Sequence, residues 1–176
     1  MKMKKVLIAI AAVVFAITSQ AASFEWSAVM ITKDPDNKGS ALSAYLVDAS
    51  VLSMADATAS LAAGDTSVLS GSAILDTSTT AAAGANLRIA NKTGGTTVAD
   101  KSYTAYFVIL NAADPTYFFV SNKEMTGVGQ ALTNTQFAFG TQAGTSWQAV
   151  TAVPEPTSGL LMLVGLGALA LRRRRA

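Results

Sequence analysis

Side chains that commonly do chemistry in proteins are sparse in this chain. Its 176 residues include no histidine and no cysteine. Catalysis by Ser-His-Asp or Cys-His groups, imidazole or thiolate metal sites and c-type haem attachment are therefore excluded. On composition alone, two hydrolytic arrangements remain, a pair of carboxylates and a Ser-Lys dyad.

The acidic and hydroxyl side chains of residues 22–153 form neither arrangement in an obvious way. This stretch contains no Ser-x-x-Lys, and its acids are scattered through turn-like segments. We therefore expect no enzyme, no metal site and no cofactor. A pair such as Asp48 and Asp100, standing roughly 5 to 9 Å apart in a groove, would instead indicate a hydrolase that acts on glycans.

The basic residues are concentrated at the two ends of the chain. Lys2, Lys4, Lys5 and the four arginines of residues 172–175 supply seven of the thirteen. Between residues 22 and 153, six basic residues stand against ten acidic ones, which gives a formal charge of −4. A stretch with this balance has no basic patch, so we expect no nucleic-acid partner.

The first twenty-one residues have the pattern of a secretory signal peptide. Three lysines precede an apolar run of twelve residues, 6–17. Small residues follow at Ser19 and Ala21, the two positions that a signal peptidase reads. We predict a signal peptide over residues 1–21 with cleavage after Ala21, because cleavage after Ala22 would place the larger Gln20 three residues back. An uncleaved N-terminal anchor is the alternative.

The C-terminal tail begins with a stiff segment that could enter a peptidase. Val153 is followed by Pro154, Glu155 and Pro156. A proline fixes its own φ angle and moves the preceding residue out of the α region. These four residues are therefore expected to be extended, which is the conformation that a peptidase cleft requires.

An apolar run and a basic end complete the tail. The thirteen apolar residues 159–171 would span roughly 20 Å as a helix, against about 30 Å for a bilayer core. Three glycines weaken this short helix by about 1 kcal/mol each, which favours temporary retention over permanent anchoring. By the positive-inside rule the cytoplasmic side holds four arginines, Arg172, Arg173, Arg174 and Arg175.

The sequence Val-Pro-Glu-Pro, the short apolar helix and the basic end together resemble the PEP-CTERM sorting signal of Gram-negative bacteria. The resemblance covers residues 153–176. It implies recognition and removal of the tail by an exosortase, a membrane-embedded enzyme, and association with the cell surface and an extracellular polysaccharide matrix. A plain C-terminal membrane anchor is the alternative.

The remaining stretch, residues 22–152, is predicted to form one β-rich domain. Period-two alternation and turn signals predict seven short strands. The first two are expected to form a hairpin around a turn at residues 34–39. The predicted strands are residues 24–31, 41–47, 86–90, 103–110, 116–121, 136–139 and 146–150.

One helix is predicted among these strands. Residues 50–63 place apolar side chains on one helical face, with Asp48 or Ser50 as the cap, whereas the Thr- and Ala-rich residues 77–84 are expected to be a loop. The predicted fold is mainly β, an antiparallel β-sandwich or barrel-like sheet with one inserted helix. The aromatic residues between Tyr103 and Phe119 are expected to form its core.

The two terminal signals predict an exported protein, and the resemblance to PEP-CTERM proteins implies a structural or adhesive role in the polysaccharide matrix. The expected partners are a signal peptidase, an exosortase-like membrane enzyme, and either extracellular polysaccharide or further copies of the chain. Before processing, the C-terminal helix would tether the protein to the membrane. The alternatives are a secreted glycan hydrolase with a carboxylate pair and a membrane-anchored sensor domain.

Overall fold

A computed structural model describes residues 22–35, 42–113 and 115–151. These residues form ten strands, one α-helix and one short 3-10 helix. The prediction of a mainly β fold with one helix is therefore confirmed. The predicted signal helix and C-terminal hydrophobic helix lie outside the described residues.

The ten strands are distributed along the whole described length, and both helices lie between the second strand and the third. The strands are β1 Phe24–Thr32, β2 Ser43–Asp48, β3 Ile74–Thr79, β4 Ala81–Ala83, β5 Asn86–Gly94, β6 Ser102–Leu110, β7 Tyr117–Val120, β8 Met125–Val128, β9 Thr135–Thr141 and β10 Gln148–Ala149. The helices are α1 Met54–Ala62 and the 3-10 helix Gly71–Ala73.

The described strands form two sheets that do not close into a barrel. One sheet has the order β4-β5-β1-β9, and the other has the order β10-β7-β6-β2-β3, with β8 also paired to β6. β1 and β9 run parallel. The expectation of a wholly antiparallel arrangement is therefore wrong. The reason is that β9 follows β8, a strand of the other sheet, and no local pattern encodes the direction in which the chain crosses over.

The predicted hairpin between the first two strands is also wrong. β1 pairs with β5 and β9, whereas β2 pairs with β3 and β6 in the other sheet. Tight hairpins use loops of two to about five residues. The ten residues between Thr32 and Ser43 are long enough to carry the chain from one sheet to the other.

The inner faces of the two sheets pack against each other through aromatic side chains. The ring centroids of Phe24 and Tyr103 lie 5.0 Å apart, as do those of Phe107 and Phe139, and both pairs are T-shaped. Each pair joins a strand of one sheet to a strand of the other. The fully buried side chains include Tyr106, Phe107, Phe118 and Phe119. The prediction that the aromatic residues of this segment form the core is confirmed except at Tyr117, which is half-buried.

A bulge in β1 changes which side chains face inward. The alternation of the sequence places Met30 with the buried set, but Met30 adopts φ 55° and is 49% exposed. Ile31 is fully buried instead. The pairing of β1 with β5 shifts register between Ala28 and Ile31. The extra residue of a bulge moves the following side chain to the opposite face, because the side-chain period of a strand is two.

Helix α1 covers the outer face of the six-stranded sheet and starts later than predicted. Its cap is Ser53, whose side chain accepts a hydrogen bond from Asp56 N at 3.1 Å. Asp48 does not cap the helix, because its carboxylate accepts hydrogen bonds from the backbone and hydroxyl of Ser50 in a turn. Leu61 is buried in a cluster with Tyr106 and other residues of the sheet.

Two segments that the sequence does not predict as strands pair within the sheets. Residues 77–84, expected to be a loop, contribute to β3 and β4. Both strands lie at sheet edges, where threonine and serine are tolerated on exposed faces. β8 is the second such segment, because its sequence Met-Thr-Gly-Val is short and contains glycine. In the structure Gly127 lies so close to Phe137 that a Cβ would stand 3.3 Å from its ring.

Candidate functional site

Most residues of the predicted processing sites lie outside the described residues. Only Ala22, which would follow the signal peptidase cut, is described. The predicted sorting, orientation and cleavage residues beyond the described ranges are Ser19, Ala21, Val153, Pro154, Glu155, Pro156, Arg172, Arg173, Arg174 and Arg175. The site can therefore be described through the two junctions at which the folded body meets these segments.

The N-terminal junction is buried in the domain from its first described residue. The carbonyl oxygen of Ala22 accepts hydrogen bonds from the backbone N–H of Thr97 at 2.8 Å and from its hydroxyl at 3.0 Å. The carbonyl of Ser23 accepts a hydrogen bond from Thr135 N at 2.9 Å. Ala22 itself is 6% exposed. Ala22, the residue that would follow the predicted cleavage point, is thus part of the tertiary structure.

The C-terminal junction is held by hydrogen bonds up to Thr151. Val150 N donates to Thr116 O at 3.0 Å, and Thr151 N donates to Ala62 O at 2.7 Å. The side chain of Val150 packs against the cluster beneath α1. Only two residues, Ala152 and Val153, separate Thr151 from the first proline of the tail.

This short connection limits how far the body can move from the apolar run of the tail. Seven residues, 152–158, lie between Thr151 and the start of that run. A fully extended chain spans at most about 3.3–3.6 Å per residue, so the connection reaches at most roughly 25 Å. A body that is tethered through this tail therefore stays close to the surface in which the apolar run is held.

The two junctions emerge at opposite ends of the domain. Phe24, two residues after Ala22, contacts Tyr103 at the start of β6. Ala149 pairs with Tyr117, which lies beyond the far end of β6. Nine residues of β-strand extend about 30 Å. The two chain ends therefore leave the folded body roughly that far apart.

The acids that a hydrolase hypothesis would use are Asp48, the last residue of β2, and Asp100, which lies in a turn. The Oδ1 atom of Asp48 accepts hydrogen bonds from Ser50 N at 2.9 Å and Ser50 Oγ at 2.6 Å, and the residue is buried. Asp100 is exposed at φ 61° and its backbone N–H donates to Gly129 O at 2.9 Å. In the described part of the chain, no group of three or more acidic residues is arranged to hold a metal ion.

A cleft that the sequence does not indicate opens beside the unpredicted strand β8. It has a volume of about 650 Å³ and lies between the end of β8, the loop to β9 and the start of β9. Polar residues outnumber apolar ones in its lining, and residues 127–136 have the composition of an ordinary loop. The one available signal is the density of amide side chains, namely Gln130, Asn134 and Gln136.

Within the described ranges, no helix is long and apolar enough to span a bilayer. The apolar residues 159–171 lie outside those ranges. The structure therefore does not test the predicted membrane segment of the tail.

Comparison with known proteins identifies the tail. Residues 152–175 match the family model of the PEP-CTERM protein-sorting motif. No curated protein and no solved structure matches the chain. The matched segment begins directly after Thr151, the last residue that the structure describes as hydrogen-bonded to the body. The chain therefore carries a PEP-CTERM sorting tail, which marks it as an exported protein of the kind sorted by an exosortase system.

Proposed function

We propose that the body of this protein is a structural or adhesive component of the cell surface or of an extracellular polysaccharide matrix. The main support for the proposal is the PEP-CTERM motif, because proteins with this motif are sorted by an exosortase system. The β-rich domain with its aromatic core supports a durable structural role. The absence of histidine and cysteine from the sequence supports a body without catalytic activity.

The two junctions indicate the order in which signal cleavage, folding and removal of the tail take place. A signal peptidase that cuts after Ala21 needs the neighbouring residues extended in its cleft, whereas in the folded body Ala22 is bound to Thr97. Signal cleavage therefore precedes folding of this end. The sorting tail then holds the domain at the membrane through Thr151 until the tail is removed.

Processing at the tail requires that the enzyme approach the folded body closely. Pro154 follows Thr151 by three positions, which is about 10 Å of extended chain. The region around Thr151 includes Ala62 and Thr116, whose carbonyl groups hold the last strand. This end of the domain therefore faces the membrane enzyme during processing.

Cell fractionation in the native host tests the proposal. In cells with an intact exosortase gene, we expect the body in the surface or matrix fraction. In cells that lack this gene, we expect the unprocessed chain in the membrane fraction. A variant truncated after Thr151 serves as the control, and we expect it to be released without surface association. A body that remains in the membrane in every strain would contradict the proposal and favour an anchored sensor domain.

A further inference from the structure

The cleft beside β8 combines amide, carboxylate and aliphatic side chains in one open depression. It lies on the side of the domain where β8 of one sheet approaches β9 of the other. We call it the β8–β9 cleft and define it by six of its lining residues, Glu25, Val128, Gln130, Leu132, Asn134 and Gln136. The volume of about 650 Å³ is within the usual range for small-ligand sites.

The loop that forms one wall of the cleft is fixed at both ends. Gly129 N donates to Lys101 O at 2.8 Å, and Gly129 O accepts from Asp100 N at 2.9 Å. A Cβ at Gly129 would overlap the carbonyl group of Val98, so only glycine fits there. At the other end, Asn134 Oδ1 accepts a hydrogen bond from Ser23 N at 3.4 Å. A site held in this way loses little conformational entropy when it binds a ligand.

The polar groups of the cleft are suited to hydroxyl groups. Gln130, Asn134 and Gln136 each carry both hydrogen-bond donors and an acceptor, as hydroxyl groups do. Gln136 Nε2 donates to Glu25 Oε2 at 3.3 Å, which holds the amide and the carboxylate next to each other. Such a pair can accept hydrogen bonds from adjacent hydroxyl groups of one sugar ring and donate hydrogen bonds to them.

The charge of the cleft argues against an anionic ligand. None of the described residues that line it is basic, and Glu25 contributes one negative charge. A phosphate or an acidic sugar would find no basic counter-charge among these lining residues. A nucleic acid would be disfavoured for the same reason. Electrostatics therefore disfavour an anionic ligand in this cleft.

Two aliphatic side chains give the cleft an apolar surface. Leu132 is 74% exposed and Val128 is 50% exposed, although both are large hydrophobic residues. The C–H faces of sugar rings are apolar and can cover such side chains. Because the cleft is open, an internal segment of a long chain can pass through it, which a closed pocket would not allow.

We infer that the β8–β9 cleft binds a segment of a neutral, hydroxyl-rich polysaccharide. The inference rests on the proposed matrix role and assigns a ligand-binding site to it. Amide groups that match hydroxyls, the absence of basic lining residues among those described, and the exposed Leu132 and Val128 together favour a glycan. The experiment below uses separate probes to distinguish binding of a neutral glycan from binding of an acidic glycan or a peptide.

The test is calorimetric titration of the exported protein, purified from its own host, with defined oligosaccharides. The neutral probes are cellohexaose, maltohexaose and laminarihexaose, and the acidic probe is a galacturonic acid hexamer. A proline-free, uncharged hexapeptide is the peptide probe. We expect at least one neutral hexasaccharide to bind with a Kd of about 1 mM or below. No binding of any neutral probe up to about 10 mM, or tighter binding of the acidic or peptide probe, would overturn the inference.

Matched variants locate the binding. Gln136→Ala removes a cleft amide, and Gln148→Ala removes an exposed glutamine from β10. Leu132→Ala removes the exposed methyl groups of the cleft, and Val51→Ala removes those of a valine that is 54% exposed elsewhere. We expect each cleft variant to weaken binding about three- to tenfold, as for the loss of one net contact, and each control to leave it unchanged. Equal weakening by a control variant would contradict the location.

The glycan-binding site and the proposed function can fail independently, and the experiments distinguish the two failures. A protein that reaches the matrix fraction but binds no neutral glycan retains the proposed function and loses the glycan site. A protein that binds a neutral hexasaccharide at the cleft but never leaves the membrane retains the glycan site and loses the proposed function. The two results come from different measurements, because cell fractionation tests the proposed function and calorimetric titration tests the glycan site.

Discussion

The indole Nε1 of Trp26 donates a hydrogen bond to Asp76 Oδ2 at 2.8 Å. Trp26 lies in β1 of the four-stranded sheet, and Asp76 lies in β3 at the edge of the six-stranded sheet. The carboxylate also fills the space above Gly94, where a Cβ would overlap it. This side-chain pair therefore connects an interior strand of one sheet to the edge strand of the other, and it gives the buried indole N–H of Trp26 a hydrogen-bond acceptor.

The first prediction concerns this connection. Asp76→Ala leaves the indole N–H of Trp26 buried without its acceptor, and Trp26 is 1% exposed. The desolvation of one unsatisfied polar group costs about 1–3 kcal/mol. We expect the free energy of unfolding, measured with chemical denaturant, to fall by about that amount.

Asp76→Asn is the matched control for the same position. An asparagine keeps an acceptor oxygen of similar size, so we expect it to recover more than half of the lost stability. If the alanine and asparagine variants unfold at the same denaturant concentration as the original protein, the Trp26–Asp76 bond does not contribute to stability.

The second prediction concerns Tyr106, which connects β6 to the start of the helix. Its hydroxyl donates to the carbonyl of Leu52 at 3.0 Å and lies 3.3 Å from that of Ser53. Burial raises the pKa of Tyr106 well above its usual value of 10.0, and the nearby Glu124 and Asp56 raise it further. Tyr106→Phe removes one hydrogen bond, so we expect a loss of about 1 kcal/mol at neutral pH.

The raised pKa also fixes the sign of a pH dependence. Below about pH 10 both states keep the phenolic proton, so Tyr106 adds no pH dependence there. Above about pH 10 the unfolded chain loses this proton while the folded chain retains it, so stability falls as pH rises. We expect the melting temperature to fall less steeply above about pH 10 in Tyr106→Phe than in the original protein. Tyr117→Phe is the control, and an identical slope in all three proteins would contradict the assignment.

The third prediction tests the geometry of the loop before β9. Gly129→Ala places a methyl group against the carbonyl of Val98, and we expect a loss of about 2–3 kcal/mol. Gly84→Ala is the control, because a Cβ there meets nothing within 4 Å and only the φ of 64° is unfavourable. That strain costs roughly 1–2 kcal/mol. Equal losses in thermal or denaturant unfolding would show that the close approach at Gly129 is relieved by movement of the loop.

The fourth prediction concerns the stiff segment of the sorting tail. Replacing Pro154 and Pro156 together by alanine lets the unbound segment sample many more conformations. Each proline contributes about 0.4–1 kcal/mol of preorganisation, so we expect processing in the native host to slow about tenfold. Pulse-chase labelling of the membrane-bound precursor measures the rate, with Thr157→Ala as the control. An unchanged rate in the double variant would show that the prolines are not required for processing.

Local patterns in the sequence are sufficient for the core strands but not for their connections. The segment Tyr103 to Leu110 is predictable as a strand because its apolar and aromatic residues are continuous, and the strand Ser102–Leu110 is buried in the sheet centre. The register error at Met30 and Ile31 has a different origin. A bulge depends on the partner strand, and the sequence of β1 alone does not show it.

Competition between hydrogen-bonding groups explains the misplaced helix start. Both Asp48 and Ser50 are residue types that cap helices, but in the structure they bond to each other. Ser53 is then the first residue whose side chain reaches a backbone N–H of the helix. The sequence alone does not reveal that the two predicted candidates, Asp48 and Ser50, bond to each other and leave the helix to a later cap.

The sorting tail can be predicted because its features lie in consecutive residues. The cleft cannot be predicted in this way, because it is formed by residues that are distant in the sequence. Proline spacing, an apolar run and a basic end can be recognised without a fold, and the family match at residues 152–175 confirms the tail predicted over residues 153–176. The β8–β9 cleft brings Glu25 next to Gln136 only because β1 and β9 pair in parallel. Residues that are 111 positions apart carry no shared local signal.

The most direct test of sorting by an exosortase is the intact mass of the exported protein from its native host, with both terminal peptides sequenced. We predict a product that begins at Ala22 and ends near Pro154 to Thr157, or that carries an added group at that end. A product in the membrane fraction that still ends at Ala176 would contradict this prediction, because the tail would then be a permanent anchor.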